Sequence, residues 1–213
     1  MAKPIPVIDL FAGPGGLGEG FCSTTRRRGR KPAFKIELSI EKDPTAHSTL
    51  ELRAFFRQFA RDKVPDDYYE HLQSSESLTR EMLFASHARA AAAARSEAWC
   101  AELGKEPETA IDSRIRSALA GRRDWVLIGG PPCQAYSVIG RSRTKGIDPQ
   151  DHRIYLYKQY LRILAKHQPP VFVMENVKGI LSSKVDGKPI FDMILKDLRE
   201  PDRAVRKKGH CRK

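Results

Sequence analysis

The sequence lacks any long run of apolar residues: none approaches the roughly 20 that a helix needs to span a bilayer. Its first residues lead directly into a strand-like run and do not have the layout of a signal peptide. We therefore expect an intracellular, cytoplasmic protein with no membrane partner. The 213 residues, 40% hydrophobic and 30% charged, are enough for one ordinary globular domain.

Cysteine is scarce as well, and its spacing excludes the common metal motifs. The four cysteines form no C-x-x-C pair and no Cys/His zinc pattern, so we expect free thiols and no metal site. A lone cysteine is by default a small buried hydrophobe, and we assign that role to Cys22 and Cys100. Cys133 is the exception because of its neighbours, described below.

Acidic residues are too few to balance the basic ones: 38 Lys and Arg against 26 Asp and Glu give a net charge of +12. Such an excess attracts polyanions and gives non-specific affinity for nucleic acid, although a basic surface kept for solubility is the alternative. Basic residues cluster at 26–31 and again at Arg141, Arg143 and Lys145. If Cys133 reacts with a nucleotide, the second cluster lies where a substrate phosphate would be.

The hydrophobic pattern alternates short strands with amphipathic helices. Strands are predicted near residues 7–11, 34–41, 126–128 and 171–174, and helices from Asp43, over 151–167 and around 191–198. The segment from about 64 to 123 is polar and alanine-rich, and predicts a helical insertion without a convincing strand. This order predicts an α/β fold: a parallel sheet with helices on both faces, which binds ligands beyond the carboxyl ends of its strands.

The first predicted strand ends in DLFAGPGGLGEGF, where Gly13, Gly15 and Gly18 satisfy the pattern G-x-G-x-x-G. Glycines allow a tight turn and close approach of the backbone to a ligand. Glu41, at the end of the second strand, can accept hydrogen bonds from two ribose hydroxyls. A plain glycine-rich turn is the alternative. The order of strand, turn, helix and acid favours an adenosine-type cofactor, and leaves NAD and S-adenosylmethionine both open.

Two other strand ends carry unusual chemistry. In GGPPCQAYS, Pro131 and Pro132 restrict the backbone, so the loop that presents Cys133 loses little entropy on ordering. A thiol is the strongest side-chain nucleophile near neutral pH. In VFVMENVKG, Glu175 and Asn176 follow four apolar residues, which predicts a desolvated acid with a raised pKa that can donate a proton. A helix-capping or loop carboxylate is the alternative and, taken alone, the commoner case.

Together, DLFAGPGGLGEGF, GGPPCQAYS and MENVKG resemble the cytosine-5 DNA methyltransferase family, in the family's order and over nearly the whole chain. The resemblance implies a Rossmann-like methyltransferase fold, S-adenosyl-L-methionine as cofactor and double-stranded DNA as partner, in a restriction-modification or epigenetic system. A related branch with the same motifs methylates transfer RNA, so RNA stays open. Cys133 would add to a flipped-out cytosine while Glu175 holds its ring nitrogen 3.

The resemblance also assigns the remaining site residues. Those expected at the cofactor are Phe11, Gly13, Gly15, Gly16, Leu17, Glu41 and Pro132. Those expected at the substrate are Gln134, Ser137, Asn176, Arg141 and Arg143.

The sequence departs from the family in three places. Lys42 stands where a large apolar residue often stacks on adenine, and the third-strand acid that reads the adenine amine has only Asp112 as a candidate. After Leu198 the family has a Gln-Arg-x-Arg segment, further strands and a target-recognition region, whereas residues 201–213 form a basic tail. Residues 1–200 would then be the N-terminal part of the catalytic domain, from a split enzyme, a truncated gene product or a remnant.

Two other functions stay open. An NAD-dependent oxidoreductase is supported by the glycine pattern and Glu41, but it gives no role to Cys133 or Glu175. A non-catalytic nucleic-acid-binding fragment would use only the positive charge.

Overall fold

The computed structural model of the protein describes residues 3–25, 32–60, 62–74, 76–131, 156–182, 184–185 and 188–206. Within these ranges, no helix combines the length and the hydrophobicity needed to span a membrane.

The described residues form a five-stranded, entirely parallel sheet. Its strands are β1 (Ile5–Leu10), β2 (Phe34–Glu41), β3 (Ala98–Cys100), β4 (Val126–Gly129) and β5 (Val171–Met174), in the order β3-β2-β1-β4-β5. The strand order reverses between β1 and β4, which is where such sheets open a crevice for ligands. The predicted α/β fold with a parallel sheet is confirmed.

Strand β3 lies inside the segment 64–123, where we expected no strand, so that expectation is wrong. Only three residues long, β3 cannot show a period-2 alternation in the sequence. It exists because its backbone pairs with the end of β2, with Glu41 opposite Cys100.

Helices connect the strands. They are α1 (Gly16–Ser23), α2 (Pro44–Phe56), α3 (Asp66–Gln73), α4 (Arg80–Ser86), α5 (Ala88–Glu97), α6 (Glu108–Leu119), α7 (Leu156–His167), α8 (Ile190–Arg199) and α9 (Pro201–Arg206). A 3₁₀ helix (Lys178–Ser182) and a hairpin of β6 (Lys184–Val185) with β7 (Lys188–Pro189) precede α8. Helix α2 begins as the sequence indicates, because the Asp43 side chain accepts a hydrogen bond from the Ala46 amide at 2.8 Å.

Helices cover both faces of the sheet, as predicted. On one face, Val7 and Ile128 pack against Phe21 of α1. On the other face, Leu10 packs in one cluster with Ile115 of α6 and Tyr160 of α7. Because side chains alternate along a strand, β1 and β4 contribute to both clusters.

Helices α2 to α5 form a second, smaller core beside the sheet. At its centre, the Phe55 ring stacks on Phe84, with ring centroids 4.9 Å apart, and on Tyr68, with ring centroids 6.3 Å apart. Ala98, the first residue of β3, belongs to this cluster, so the helical segment is anchored to the sheet through β3.

Candidate active site

The turn from β1 into α1 has the backbone that a glycine-rich loop requires. Gly13 and Gly15 have φ of 55° and 91°, in the left-handed region that glycine tolerates. Gly15 caps α1, and a Cβ added to it would lie 2.9 Å from Leu50 Cδ1 of α2. Phe11 also has a positive φ, 55°, which is costly for a residue with a side chain. The turn is therefore tightly specified.

Glu41, the last residue of β2, holds this turn in place. Its Oε2 accepts a hydrogen bond from the Gly13 amide at 2.8 Å, and its Oε1 accepts one from the Asp43 amide at 2.7 Å. Each carboxylate oxygen has a further lone pair, so the fixed carboxylate can still accept bonds from two hydroxyls. This agrees with the predicted order of glycine turn and second-strand acid.

A cleft opens beside Glu41 at the carboxyl edge of the sheet. Its lining combines apolar walls with three charged side chains: Phe11, Ile40, Glu41, Lys42, Ala101, Glu102, Leu103, Gly130 and Leu156. An apolar wall with a few fixed polar groups is the usual composition of a small-molecule site, and an acid at the end of the second strand can bond to a ribose. Residues from the ends of β1, β2, β3 and β4 therefore meet here.

The predicted cofactor residues divide into two groups. Phe11 and Glu41 line the cleft, whereas Gly13, Gly15, Gly16 and Leu17 are not among its lining residues. The Leu17 side chain packs against the core cluster of Val7 under α1. Only its backbone can contact a ligand, as part of the turn.

Glu102 is a cleft residue that the sequence analysis missed. Glu102 follows β3, the third strand, by two positions. The sequence did not indicate Glu102 because it did not indicate β3. Asp112, the earlier candidate, lies elsewhere: its Oδ1 accepts bonds from Arg162 and His167 of α7, both at 2.9 Å. Burial raises the pKa of Asp112, but these two hydrogen bonds outweigh it and the net pKa is lowered. Asp112 joins α6 to α7 and is not a cleft residue.

Glu175 and Asn176 lie against the end of β4, next to the predicted nucleophile loop. A Cβ on Gly130 would be 2.7 Å from Glu175 Oε2, so the carboxylate rests directly on that glycine. The Glu175 amide donates to the Gly129 carbonyl at 2.9 Å, and Asn176 Nδ2 donates to the Pro131 carbonyl at 3.3 Å. The two residues thus contact Gly129, Gly130 and Pro131, which precede Pro132 and Cys133 in the sequence.

Glu175 is exposed in this structure, which contradicts the expectation of a desolvated acid. The physical reason is its position beyond β5, whose side chains are themselves uncovered. The remaining predicted site residues lie outside the described residues: Pro132, Cys133, Gln134, Ser137, Arg141 and Arg143.

A buried acid lies beneath the glycine turn. Asp9 of β1 is 1% exposed, and neither of its carboxylate oxygens has a hydrogen-bond partner among the described residues. Burial raises the pKa of Asp9 to about 7; the Arg57 guanidinium opposes this and the Glu41 carboxylate adds to it. A Cβ on Gly18 would lie 3.0 Å from Asp9 Oδ2. Sequence reasoning missed it, although an acid within a buried apolar strand is a visible signal.

A parallel sheet with this glycine turn, and an acid that bonds to it from the second strand, defines a protein of the Rossmann-like nucleotide-binding class. A model of the C-5 cytosine-specific DNA methylase family matches residues 93–204, more than half of the chain, and the chain belongs to that family.

Curated relatives include three type II methyltransferases. M.Bpa9945I of Bacillus paralicheniformis is 35% identical over 193 residues, 84% of this chain and 42% of its own. M1.HphI of Haemophilus parahaemolyticus is 40% identical over 82% of this chain and 33% of its own. M.XorII of Xanthomonas oryzae pv. oryzae is 40% identical over 86% of this chain and 30% of its own. The chain thus spans less than half the length of each of these relatives.

Among solved structures, the Entamoeba histolytica methyltransferase EhMeth superimposes with a TM-score of 0.45 at 17% identity, over 93% of this chain and 44% of that one.

Proposed function

We propose that the chain forms the cofactor-binding and catalytic part of a DNA cytosine-5 methyltransferase in a restriction-modification system, acting on double-stranded DNA in the cytoplasm. The observation that carries this proposal is the position of Glu175 against Gly130, with the cleft of Glu41 and Glu102 on the same edge of the sheet. The Gly130 backbone belongs both to the cleft wall and to the contact with Glu175. The end of β4, after which the sequence continues to Cys133, therefore borders both the cleft and Glu175.

The cleft residues fit S-adenosylmethionine. Glu41 would accept bonds from the ribose hydroxyls, Phe11 and Leu103 would pack on the adenine, and Glu102 would accept a bond from the adenine amine. The cofactor, when bound, supplies an electrophilic methyl group. The cleft thus offers a partner for each part of its adenosine.

Cytosine carbon 5 is a poor nucleophile, and the chain's own residues would activate it. The Cys133 thiolate would form a bond to carbon 6. Glu175 is exposed in this structure, but the flipped-out base would enclose it, so that Glu175 donates a proton to ring nitrogen 3 and carbon 5 gains enamine character. After carbon 5 has been methylated, it loses its proton to a base, and the electron pair that returns to the ring expels the Cys133 thiolate. Glu175 then recovers its proton from nitrogen 3. The cytosine must first leave the duplex to reach these groups.

Removing the Glu41 carboxylate should weaken binding of S-adenosylhomocysteine by roughly 1–3 kcal/mol, the scale of lost hydrogen bonds to a charged group. Calorimetric titration of Glu41→Ala measures this. Glu37→Ala is the control, because Glu37 lies on the same strand and pairs with Lys35 away from the cleft. Equal affinity in Glu41→Ala and wild type would mean that Glu41 does not contact the ribose. Thermal protection by NAD but not by S-adenosylhomocysteine would favour the oxidoreductase.

Strand β5 has a surface that a further polypeptide region would cover. Val171, Phe172 and Val173 are 53%, 39% and 38% exposed, whereas Leu127 and Ile128 of β4 are fully buried. A groove of about 350 Å³ adjoins β5 and has mainly apolar walls: Phe172, Met174, Asn176, Val177, Lys178, Ile180, Leu181, Phe191, Ile194, Leu195 and Leu198. Apolar surface of this kind favours association, and so does the outer edge of β5, which no other described strand pairs with.

We infer that the covering region corresponds to the C-terminal portion of the longer relatives. The relatives M.Bpa9945I, M1.HphI and M.XorII extend well beyond the part that this chain matches. Such a region would also contribute the target-recognition surface that reads base edges in the major groove. Without it, DNA binding would be mainly electrostatic.

The 213-residue chain alone should bind DNA with little sequence preference, weakening steeply between about 50 and 200 mM salt, and should transfer a negligible amount of methyl. Adding the C-terminal portion of M.Bpa9945I as a separate polypeptide should restore transfer. The assay uses tritiated S-adenosylmethionine and DNA of mixed sequence. Robust, sequence-specific incorporation by the chain alone would contradict this prediction.

Two equally exposed leucines provide a matched test of the surface. Leu181 lines the groove beside β5 and is 60% exposed, and Leu72 lies on α3 and is 56% exposed. A lysine at either position should be tolerated by the isolated chain. Leu181→Lys should prevent the restoration of transfer, and Leu72→Lys should not.

A further inference from the structure

Lys42 and Glu102 form a charged pair within the cleft. The Lys42 Nζ lies 3.6 Å from Glu102 Oε1, and both side chains line the cleft beside Glu41. The other oxygen, Glu102 Oε2, accepts a hydrogen bond from Lys105 Nζ at 2.9 Å. Lys105 is not among the cleft-lining residues. The cleft therefore contains one ammonium, which is paired with one of the two cleft carboxylates.

The pairing of β2 with β3 creates this arrangement. Glu41 is opposite Cys100 at the ends of the two strands, and the Ala101 amide donates to the Glu41 carbonyl at 3.0 Å. Lys42 and Glu102 are the next residues to leave these paired ends. The backbone thus holds them side by side, although they are 60 positions apart in the sequence.

The pair is suited to exchange partners with a ligand. Lys42 is 51% exposed and Glu102 26%, and a salt bridge in such an exposed position contributes little to the stability of the fold. The hydrogen bond from Lys105 lowers the pKa of Glu102, and the charge of Lys42 lowers it further. Glu102 thus stays an acceptor while the Lys42 ammonium moves to a new acceptor.

We propose that Lys42, together with Glu102, reads the edge of the adenine base of the cofactor, so that Lys42 determines base specificity at this cleft. This inference rests on the proposed function. On its hydrogen-bonding edge, adenine presents an amine that donates, next to a ring nitrogen that accepts. The Glu102 carboxylate would accept from the amine, and the Lys42 ammonium would donate to the ring nitrogen.

Hypoxanthine reverses this pattern, because a carbonyl replaces the amine and the neighbouring ring nitrogen carries a hydrogen. The carbonyl would face the carboxylate and the N–H would face the ammonium, so both contacts become repulsive. A site built to pair a polar edge rejects the wrong edge strongly, since its own groups are left without partners. Discrimination between the two bases is therefore the measurement that isolates the role of Lys42.

The experiment is calorimetric titration of the chain with S-adenosylhomocysteine and with S-inosylhomocysteine, for wild type, Lys42→Met, Lys42→Arg and Lys35→Met. Wild type should bind the adenosine compound about 100-fold more tightly. In Lys42→Met, the affinity for S-adenosylhomocysteine should fall about tenfold, and so should the ratio of the two affinities. Lys42→Arg should recover most of the affinity and most of the ratio. Lys35→Met removes a paired lysine of similar exposure, 57% against 51%, that lies on β2 outside the cleft, and should change neither.

Three outcomes would overturn the proposal. An unchanged ratio in Lys42→Met would show that Lys42 does not read the base. Equal losses in Lys42→Met and Lys35→Met would show a general effect of charge. If wild type binds neither compound, the proposed cofactor is wrong and this inference fails with it, which separates that failure from the first two. Circular dichroism of each variant verifies that the fold is retained.

Discussion

Replacing Cys133 with serine is expected to abolish methyl transfer in the complete enzyme, by at least about a thousandfold, the scale on which loss of a catalytic nucleophile acts. A serine hydroxyl remains protonated at neutral pH and is a much weaker nucleophile than a thiol, so carbon 6 of the cytosine would not be attacked. The measurement is incorporation of tritiated methyl groups, together with covalent trapping of the protein by DNA that contains 5-fluorocytosine. The covalent adduct with 5-fluorocytosine cannot release the enzyme, because fluorine cannot leave carbon 5 as a proton does.

Cys100→Ser is the matched control for this experiment. Cys100 is an exposed free thiol at the end of β3, so the expectation that it is buried is wrong. It is not among the cleft-lining residues, and its loss should leave both transfer and trapping unchanged. Trapping that persists in Cys133→Ser would show that another group forms the adduct. Trapping lost equally in both variants would mean that thiol loss disturbs the protein generally.

Replacing Asp9 with asparagine is expected to stabilise the fold at pH 8, and the gain should disappear as the pH falls. The pKa of Asp9 is raised by burial from its ordinary value of 3.8 to about 7. Between these values the folded state retains a proton that the unfolded state has released, so the free energy of unfolding decreases as the pH rises through this window. At about 1.4 kcal/mol per pKa unit, the difference amounts to at most roughly 4 kcal/mol above pH 7.

The Asp9→Asn gain should be smaller than this limit, because the buried amide would also lack partners. A rise in melting temperature of roughly 5–10 °C at pH 8, narrowing towards zero near pH 4, is the expected result. The measurement is thermal unfolding of wild type and variant across this range. A constant difference at all pH values would show that Asp9 does not titrate as described.

Asp124 offers a control of opposite sign. Its exposed carboxylate accepts hydrogen bonds from Arg122 at 2.7 and 2.8 Å, which lower its pKa to about 2. A lowered pKa stabilises the fold above the ordinary value, and this stabilisation is lost as the pH falls towards 2. Asp124→Asn should therefore never stabilise, and any destabilisation should be largest at neutral pH.

The sequence by itself determined the features that depend on local backbone chemistry. The glycines before α1 and the Asp43–Pro44 start of α2 act within a few residues, so their effects can be read directly from the chain. The apolar runs at β1, β4 and β5, with helices between them, were enough to predict a parallel sheet. That fold in turn predicted ligand binding beyond the carboxyl ends of the strands, which is the edge where Glu41, Gly130 and Glu175 lie.

The tertiary structure alone decided the features that depend on distant partners. Strand β3 is formed by pairing with β2, and this pairing places Glu102 in the cleft. Asp112 lies outside the cleft, because it bonds to helix α7 instead. In β2, Ile36 and Leu38 look like one face of an alternating strand. A register shift opposite Val7 and Ile8 leaves Glu37 without a partner residue on β1. Ile36 and Leu38 therefore face opposite sides of the sheet and belong to different cores.

Burial was likewise decided by packing. Asp9 and Glu175 both border apolar runs, yet Asp9 is 1% exposed beneath α1 whereas Glu175 is exposed beyond an uncovered strand. A sequence pattern reports which residues prefer to be buried, through the period of a helix or strand. It cannot report which elements arrive to bury them, because that depends on contacts between segments far apart in the chain.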